Sequence, residues 1–142
     1  MITLLTDYNH KDFYLAKVKS RVKKLFPGQE SLDISHGISH FNLKEASYAF
    51  NALLSEFDKD YIHFIFINIH YEKNYSVIVA KTKKHGIIIA PNNGILGLIK
   101  TECTNFYKLE VEKQSFIELD ILEKSKALDL SLIHISEPTR QE

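Results

Sequence analysis

Three apolar runs in this chain end in side chains that can grip a polar ligand. Ile2 to Thr6 (ITLLT) runs into Asp7, Tyr61 to Ile69 (YIHFIFINI) carries Asn68 near its end, and Gly86 to Pro91 (GIIIAP) is followed by Asn92 and Asn93. A carboxylate accepts from two vicinal hydroxyls at once, as a ribose diol presents them. A carboxamide both donates and accepts, which suits a purine edge or an amino-acid carboxylate. In an open α/β sheet, ligands bind beyond the carboxyl ends of the strands. If the three runs are neighbouring strands, one acid and up to three amides converge on one crevice. Asp and Asn also end strands for a local reason, by bonding their own backbone in turns. Both readings stand at each single position, and four such residues together favour the crevice.

Other residues carry weaker signals. Phe41 precedes a helical pattern, where it is either a hydrophobic staple or a stacking platform for a flat ligand; in the second case Asp7, Phe41, Asn68 and Asn93 should border one cavity. His36 and His40 are four apart, but Gly37 lies between them in a loop-like SHGISH and no third ligand is near, so no metal site is expected. Lys17, Arg21 and Lys24 share one face of the first helical pattern and read as a solvated face, not a nucleic-acid footprint. Cys103 has no activating partner in sequence. The chain has no G-x-G-x-x-G, P-loop or G-x-S-x-G pattern.

The elements that must position these residues follow from periodicity. Ile2–Thr6 reads as a first strand. Phe13, Leu15, Val18, Val22, Leu25 and Phe26 recur at helical spacing from Asp12 until Pro27-Gly28 stops the helix. SLDIS, residues 31–35, is a second strand. Asn42 and Glu45 resemble a capping box opening a second helix with Ala46, Phe50, Leu53 and Phe57 on its inner face. The run 61–69 has the near-continuous apolar character of a strand buried on both faces. Residues 76–82 and 86–90 read as a hairpin around Lys83-Lys84-His85. Residues 94–100 form a short helix, 105–112 a strand and 118–128 a helix. Strands alternating with helices predict an α/β layered sheet, mostly parallel in its first half.

The 142 residues suffice for one domain with a real core, and 44% hydrophobic with 25% charged residues is ordinary for a globular chain. Formal net charge is zero, which argues against a general polyanion binder. One cysteine excludes an internal disulfide and fits a reducing cytosol. No signal peptide and no membrane-spanning run are recognisable, so a cytoplasmic protein is expected. The end of the chain, LSLIHISEPTR, continues no pattern and resembles translated sequencing adapter. The expected division is an α/β domain over 1–129 and a non-native tail over 130–142.

ITLLTDYNHKDFYLAKVKSRV, LDISHGISHFNLKEASYAF and IIIAPNNGILGLI together resemble the S-adenosylmethionine hydroxide adenosyltransferases, relatives of the fluorinase and chlorinase enzymes, from Ile2 to about Val111. The resemblance implies an N-terminal domain that is a three-layer α/β sandwich, a mostly parallel central sheet flanked by helices, whose usual C-terminal β-barrel is missing here, and a homotrimeric parent. It implies S-adenosylmethionine or adenosine as the small-molecule partner, a substrate rather than a cofactor. Asp7 matches the carboxylate that grips the ribose hydroxyls, with Tyr8 beside it. Phe41 matches an aromatic next to the nucleoside, and Asn92 and Asn93 match amides of the signature turn. The implied chemistry is displacement of methionine at the ribose 5′ carbon, giving adenosine.

The chain departs from the hydrolytic members where they activate water. Their Asp-Pro-Gly-Val-Gly turn and following Arg are replaced by NIHYEKNYS, with Asn68 in place of the Asp. Their His in a Phe-His-Gly-Arg-Asp motif falls at Ile117 of SFIELD. An Asn takes no proton from water, which removes general-base help of roughly 10²–10⁴-fold from that position. The loop specific to the halogenases is also absent. A slow or altered enzyme, a binding module without turnover and an inactive fragment are the three readings that remain.

Overall fold

The computed structural model describes residues 1–9, 13–69, 75–112 and 116–128. The expected helix start at Asp12, most of the departure after Asn68 and the tail over 130–142 lie outside the described residues.

Six described strands form one open sheet: β1 (Ile2–Thr6), β2 (Ser31–Ser35), β3 (Ile62–Phe66), β4 (Tyr75–Thr82), β5 (Ile87–Pro91) and β6 (Cys103–Val111). Their spatial order is β2-β1-β3-β5-β4-β6. The four strands β2, β1, β3 and β5 run parallel, while β4 is antiparallel to both of its neighbours. The expected hairpin is therefore present as β4–β5. The carboxyl ends of β1, β3 and β5 share one rim, and β6, running the same way as β5, ends there too.

Alternation of side chains sorts the core into two halves. Ile2, Leu4, Phe64, Phe66, Val77, Val79 and Ile89 face one side, where they meet Val18 and Val22 of α1 (Tyr14–Leu25) and Ile117, Ile121 and Leu122 of α3 (Ile117–Ala127). Leu5, Ile65, Ile67, Ile78, Ile88 and Ala90 face the other, against Ala46 and Phe50 of α2 (Leu43–Ala52) and the short 3-10 turn Ile95–Leu98. The result is the expected three-layer α/β sandwich. Such doubly covered strands need apolar residues on both faces, which is why residues 62–67 show no polar alternation apart from His63.

The capping box is rewired. Asn42 Oδ1 accepts from Glu45 N at 2.9 Å, as expected, but Glu45 Oε1 accepts from Ser39 N at 2.9 Å rather than from Asn42 N. Asn42 N instead donates to Ser39 O at 3.1 Å. The cap thus reaches one turn further back and holds the whole Ser39–Asn42 loop.

Gly86 makes the tight β4–β5 connection. Its φ is +91°, and a Cβ there would lie 2.2 Å from the Tyr61 carbonyl oxygen, which accepts from Ile87 N at 2.9 Å. Gly28, after α1, has φ +85° but open space around it. Gly28→Ala carries only the left-handed backbone penalty of about 1–2 kcal/mol. Gly86→Ala adds a backbone collision and should destabilise by at least about 2 kcal/mol more than that. Urea denaturation of the two variants tests this, and equal midpoints would contradict the crowding at Gly86.

Candidate functional site

Asp7 leaves the end of β1 with only 6% of its surface exposed. Its Oδ2 accepts from the backbone N–H of Asn68 at 3.0 Å, which ties the exits of β1 and β3 together. His40, on the loop before α2, brings Nδ1 to 3.5 Å from the same oxygen, with its side chain 74% exposed. Asn93 stands just past β5. Its Nδ2 donates to Ile67 O at 3.1 Å and its Oδ1 accepts from Ile95 N at 3.2 Å. One donor hydrogen and one lone pair of that amide remain in excess of these bonds. The structure therefore brings Asp7, Asn68 and Asn93 together across three adjacent strands. Asn92 is not drawn in: its side chain is exposed, and its backbone N–H donates to Ser76 O at 3.0 Å.

Asn68 is the most unusual member. Its φ is +57°, and its Oδ1 is buried with no hydrogen-bond partner. An unsatisfied buried acceptor costs about 1–3 kcal/mol, and Asn68 carries one in the same residue whose backbone N–H binds the Asp7 carboxylate, which suits an incoming donor. The other non-glycine residues with positive φ among those described are Asn9 at +62° and Phe41 at +58°. Both flank the same rim, Asn9 through its N–H to His36 O at 2.7 Å and Phe41 through the His40 ring, 5.3 Å away between centroids. Backbone held in sparsely populated regions gathers where function demands a geometry that packing alone would not choose.

Phe41 does not act as a staple, because its side chain is 62% exposed. It borders an open cleft of about 550 Å³ with His40, Asn42, Leu43, Lys44 and Leu98. Asp7, Asn68 and Asn93 are not among the walls of that cleft. His40 lines the cleft and also approaches the acid. Tyr8 also diverges from Asp7: its phenol donates to Glu118 Oε2 at the start of α3.

The two histidines of SHGISH have separate partners. His36 is 3% exposed; its Nδ1 lies 2.7 Å from Thr6 Oγ1 and its Nε2 3.0 Å from Asp33 Oδ1. Burial raises the Asp33 carboxyl pKa, but hydrogen bonds and charge from Lys19 and His36 outweigh it and hold the value below the usual 3.8. The result is a chain from Lys19 through Asp33 and His36 to Thr6, whose Oγ1 accepts from Tyr8 N at 3.4 Å. It braces the exit of β1 from below. On α1, Lys17 and Arg21 turn toward α3, Lys17 Nζ lying 4.1 Å above the Phe116 ring and Arg21 pairing with Glu123. Burial pushes the Cys103 thiol pKa up, which opposes thiolate chemistry. Sequence reasoning missed His40 as a neighbour of Asp7 and Glu118 as a buried acid. A clue to the first was its place one residue before Phe41.

Comparison with known proteins gives this geometry a family. Residues 2–132 match the SAM hydroxide adenosyltransferase N-terminal domain. A curated protein of Methanocaldococcus jannaschii, an (R)-S-adenosyl-L-methionine hydrolase, is 28% identical over 99 residues, covering 67% of this chain and 37% of that protein. The fold is shared with an uncharacterized conserved protein from Thermotoga maritima, with a TM-score of 0.78, 23% identity and coverage of 95% of this chain and 57% of the other. It is also shared with a conserved hypothetical protein from Thermus thermophilus, with a TM-score of 0.67, 17% identity and coverage of 92% and 55%. The chain thus spans about a third to a little over half the length of these relatives. Among the described residues, no helix is long and apolar enough to cross a membrane.

Proposed function

Because this chain belongs to the SAM hydroxide adenosyltransferase family by way of its N-terminal domain, we propose that its strand rim is the nucleoside-binding half of an adenosyl-displacement site. The observation that carries this is the buried Asp7 carboxylate tied to the Asn68 backbone N–H at the common end of β1 and β3, in a residue whose own side-chain Oδ1 is unsatisfied. Asp7 takes the ribose diol. The amides of Asn68 and Asn93 meet the polar edges of the ligand. Phe41, exposed and hinged at a left-handed backbone, stacks on the base. In the parent protein, a cytoplasmic homotrimer, water displaces methionine from the ribose 5′ carbon of S-adenosylmethionine, and the domain positions the groups and excludes solvent. Residues 2–132 carry the match to this domain.

Titration calorimetry with adenosine and with S-adenosylmethionine tests the proposal. Saturable binding of both to the wild-type chain is expected, and absence of binding by either would remove the nucleoside reading. A binding module without turnover is the second reading. It is favoured by the carboxamide at Asn68, which donates and accepts hydrogen bonds but takes up no proton at neutral pH.

A further inference from the structure

We propose that His40 is a ligand-contacting residue of this rim, an imidazole donor that works opposite Asp7 on the ribose hydroxyls; the inference rests on the adenosyl-displacement reading above. His40 Nδ1 lies 3.5 Å from Asp7 Oδ2, with the imidazole 74% exposed and the acid 6% exposed. An accessible ring thus stands over a buried carboxylate. The same ring lines the cleft of about 550 Å³ that Phe41 borders. The contact is longer than the roughly 2.7–3.2 Å of a settled N–H···O bond, so the imidazole is near the acid without being locked to it.

The backbone around His40 is built to hold it there. Ser39 to Asn42 is a four-residue turn, closed by Asn42 N donating to Ser39 O at 3.1 Å, with His40 and Phe41 at its two central positions. Phe41 has φ +58°, a conformation for which such turns usually use glycine and which costs energy with any side chain. Both ends of the turn are fastened to Glu45 in the first turn of α2. Ser39 N donates to Glu45 Oε1 at 2.9 Å, and Glu45 N donates to Asn42 Oδ1 at 2.9 Å. The tip carries the His40 and Phe41 rings side by side, 5.3 Å between centroids. An exposed ion pair between His40 and Asp7 contributes too little to stability to account for a strained, doubly anchored tip. A ligand that touches ring and acid together does account for it.

The chemistry needs such a partner. An ionised carboxylate only accepts hydrogen bonds. It can take the hydroxyl protons of a vicinal diol, but each hydroxyl oxygen keeps lone pairs that need a donor once water has left. Asp7 is fixed by burial and by Asn68 N, which donates to Oδ2 at 3.0 Å. The exposed imidazole is the member free to adjust. Facing a carboxylate, Nδ1 carries a hydrogen. A small rotation turns that N–H from Oδ2 onto the oxygen of a hydroxyl whose proton Asp7 accepts. Acid and imidazole then serve the two halves of one hydroxyl, which neither does alone.

Exposure makes His40 replaceable, since substitutions at such positions usually leave stability nearly unchanged. Titration calorimetry of the whole chain with adenosine, 2′-deoxyadenosine and 3′-deoxyadenosine tests its role. His40→Leu keeps bulk and removes the donor. It should bind adenosine about tenfold more weakly than wild type. For the deoxynucleoside that lacks the hydroxyl His40 serves, it should match wild type within about twofold. In His40→Asn the side-chain amide can take the place of Nδ1, so adenosine affinity should stay within about threefold of wild type. Adenosine binding by His40→Leu at wild-type strength overturns the proposal. So does a loss by the same factor for all three nucleosides, the mark of a residue that acts on Asp7 and not on the ligand. His40→Asn binding no better than His40→Leu overturns it too. A wild-type chain that binds none of the three removes the nucleoside reading itself, and this proposal with it.

Discussion

Asp7→Asn should weaken adenosine binding by about 30-fold and erase most of the preference for ribose over 2′-deoxyribose. Hydrogen bonds to a charged acceptor contribute about 1.5–3 kcal/mol and those to a neutral one about 0.5–1.5. Losing the charge under two hydroxyls therefore removes about 2 kcal/mol, and each 1.4 kcal/mol is a factor of ten. The substitution is chosen to leave the fold alone. Asp7 Oδ2 accepts from Asn68 N at 3.0 Å, and an asparagine oxygen at the same place accepts that bond equally well. Asp7→Ala is the cruder test, since it also frees the N–H that helps hold Asn68 at φ +57°. The informative readout is the cycle of two proteins against adenosine and 2′-deoxyadenosine, because it isolates the coupling between the carboxylate and the 2′ hydroxyl. If Asp7→Asn distinguishes the two nucleosides as sharply as wild type does, Asp7 does not hold the sugar.

That test depends on a rim whose existence was legible in residue order, though its internal geometry was not. The ends of β1, β3 and β5 could be read from Asp7, Asn68 and the Pro91–Gly94 turn because strands buried on both faces are apolar until they stop. Helices α1 and α2 could be read from 3.6-residue spacing. What escaped was long-range. That β1, β3 and β5 lie side by side depends on pairing between residues about 60 and 25 apart, as in Ile2 with Ile62 and Ile62 with Ile87. Periodicity within one segment carries no information about that. Left-handed backbone at Asn9, Phe41 and Asn68 escaped for a related reason: local preference points to glycine at such positions, and tertiary contacts override it here. Glu118 escaped because a charged residue in the first turn of a helix normally faces water, and only the arrival of Tyr8 from the other end of the chain reverses that expectation.

The same logic applies to His63, the one polar side chain in the run Ile62–Phe66, and it makes acid the sharpest probe of this core. His63 is fully buried among Phe57 and Phe50, with ring centroids 4.4 and 4.9 Å away. Its Nε2 lies 2.7 Å from the His85 carbonyl oxygen, so Nε2 carries the hydrogen. Nδ1 is then the acceptor for the Thr3 hydroxyl, also at 2.7 Å. Both nitrogens are satisfied in the neutral ring, and a second proton would confront Thr3 with no acceptor for its present bond. Burial, reinforced by the charges of His85 and the amino terminus, lowers the His63 pKa from 6.5 to about 4 against the opposing pull of the His85 carbonyl. Above pH 6.5 the ring is neutral in both folded and unfolded chains, and its contribution to stability is fully present. Between pH 6.5 and about 4 the unfolded chain binds a proton that the folded chain refuses, so stability falls as pH falls. Each unit is about 1.4 kcal/mol, which makes the whole loss about 3 kcal/mol, a large part of the stability of a domain this size. Asp33 does not confuse the window, because a carboxylate held below 3.8 withdraws its contribution only under more acid conditions. His63→Gln keeps a donor for His85 and cannot titrate. It should be less stable than wild type at about pH 7.5, having lost its ring packing, but nearly flat from about pH 6.5 to 4.5 where wild type declines steeply. Urea midpoints at half-unit intervals measure both slopes. Parallel slopes would mean that His63 takes its proton in the folded chain as readily as in the unfolded one, which a ring bonded at both nitrogens inside this aromatic cluster cannot do without opening it.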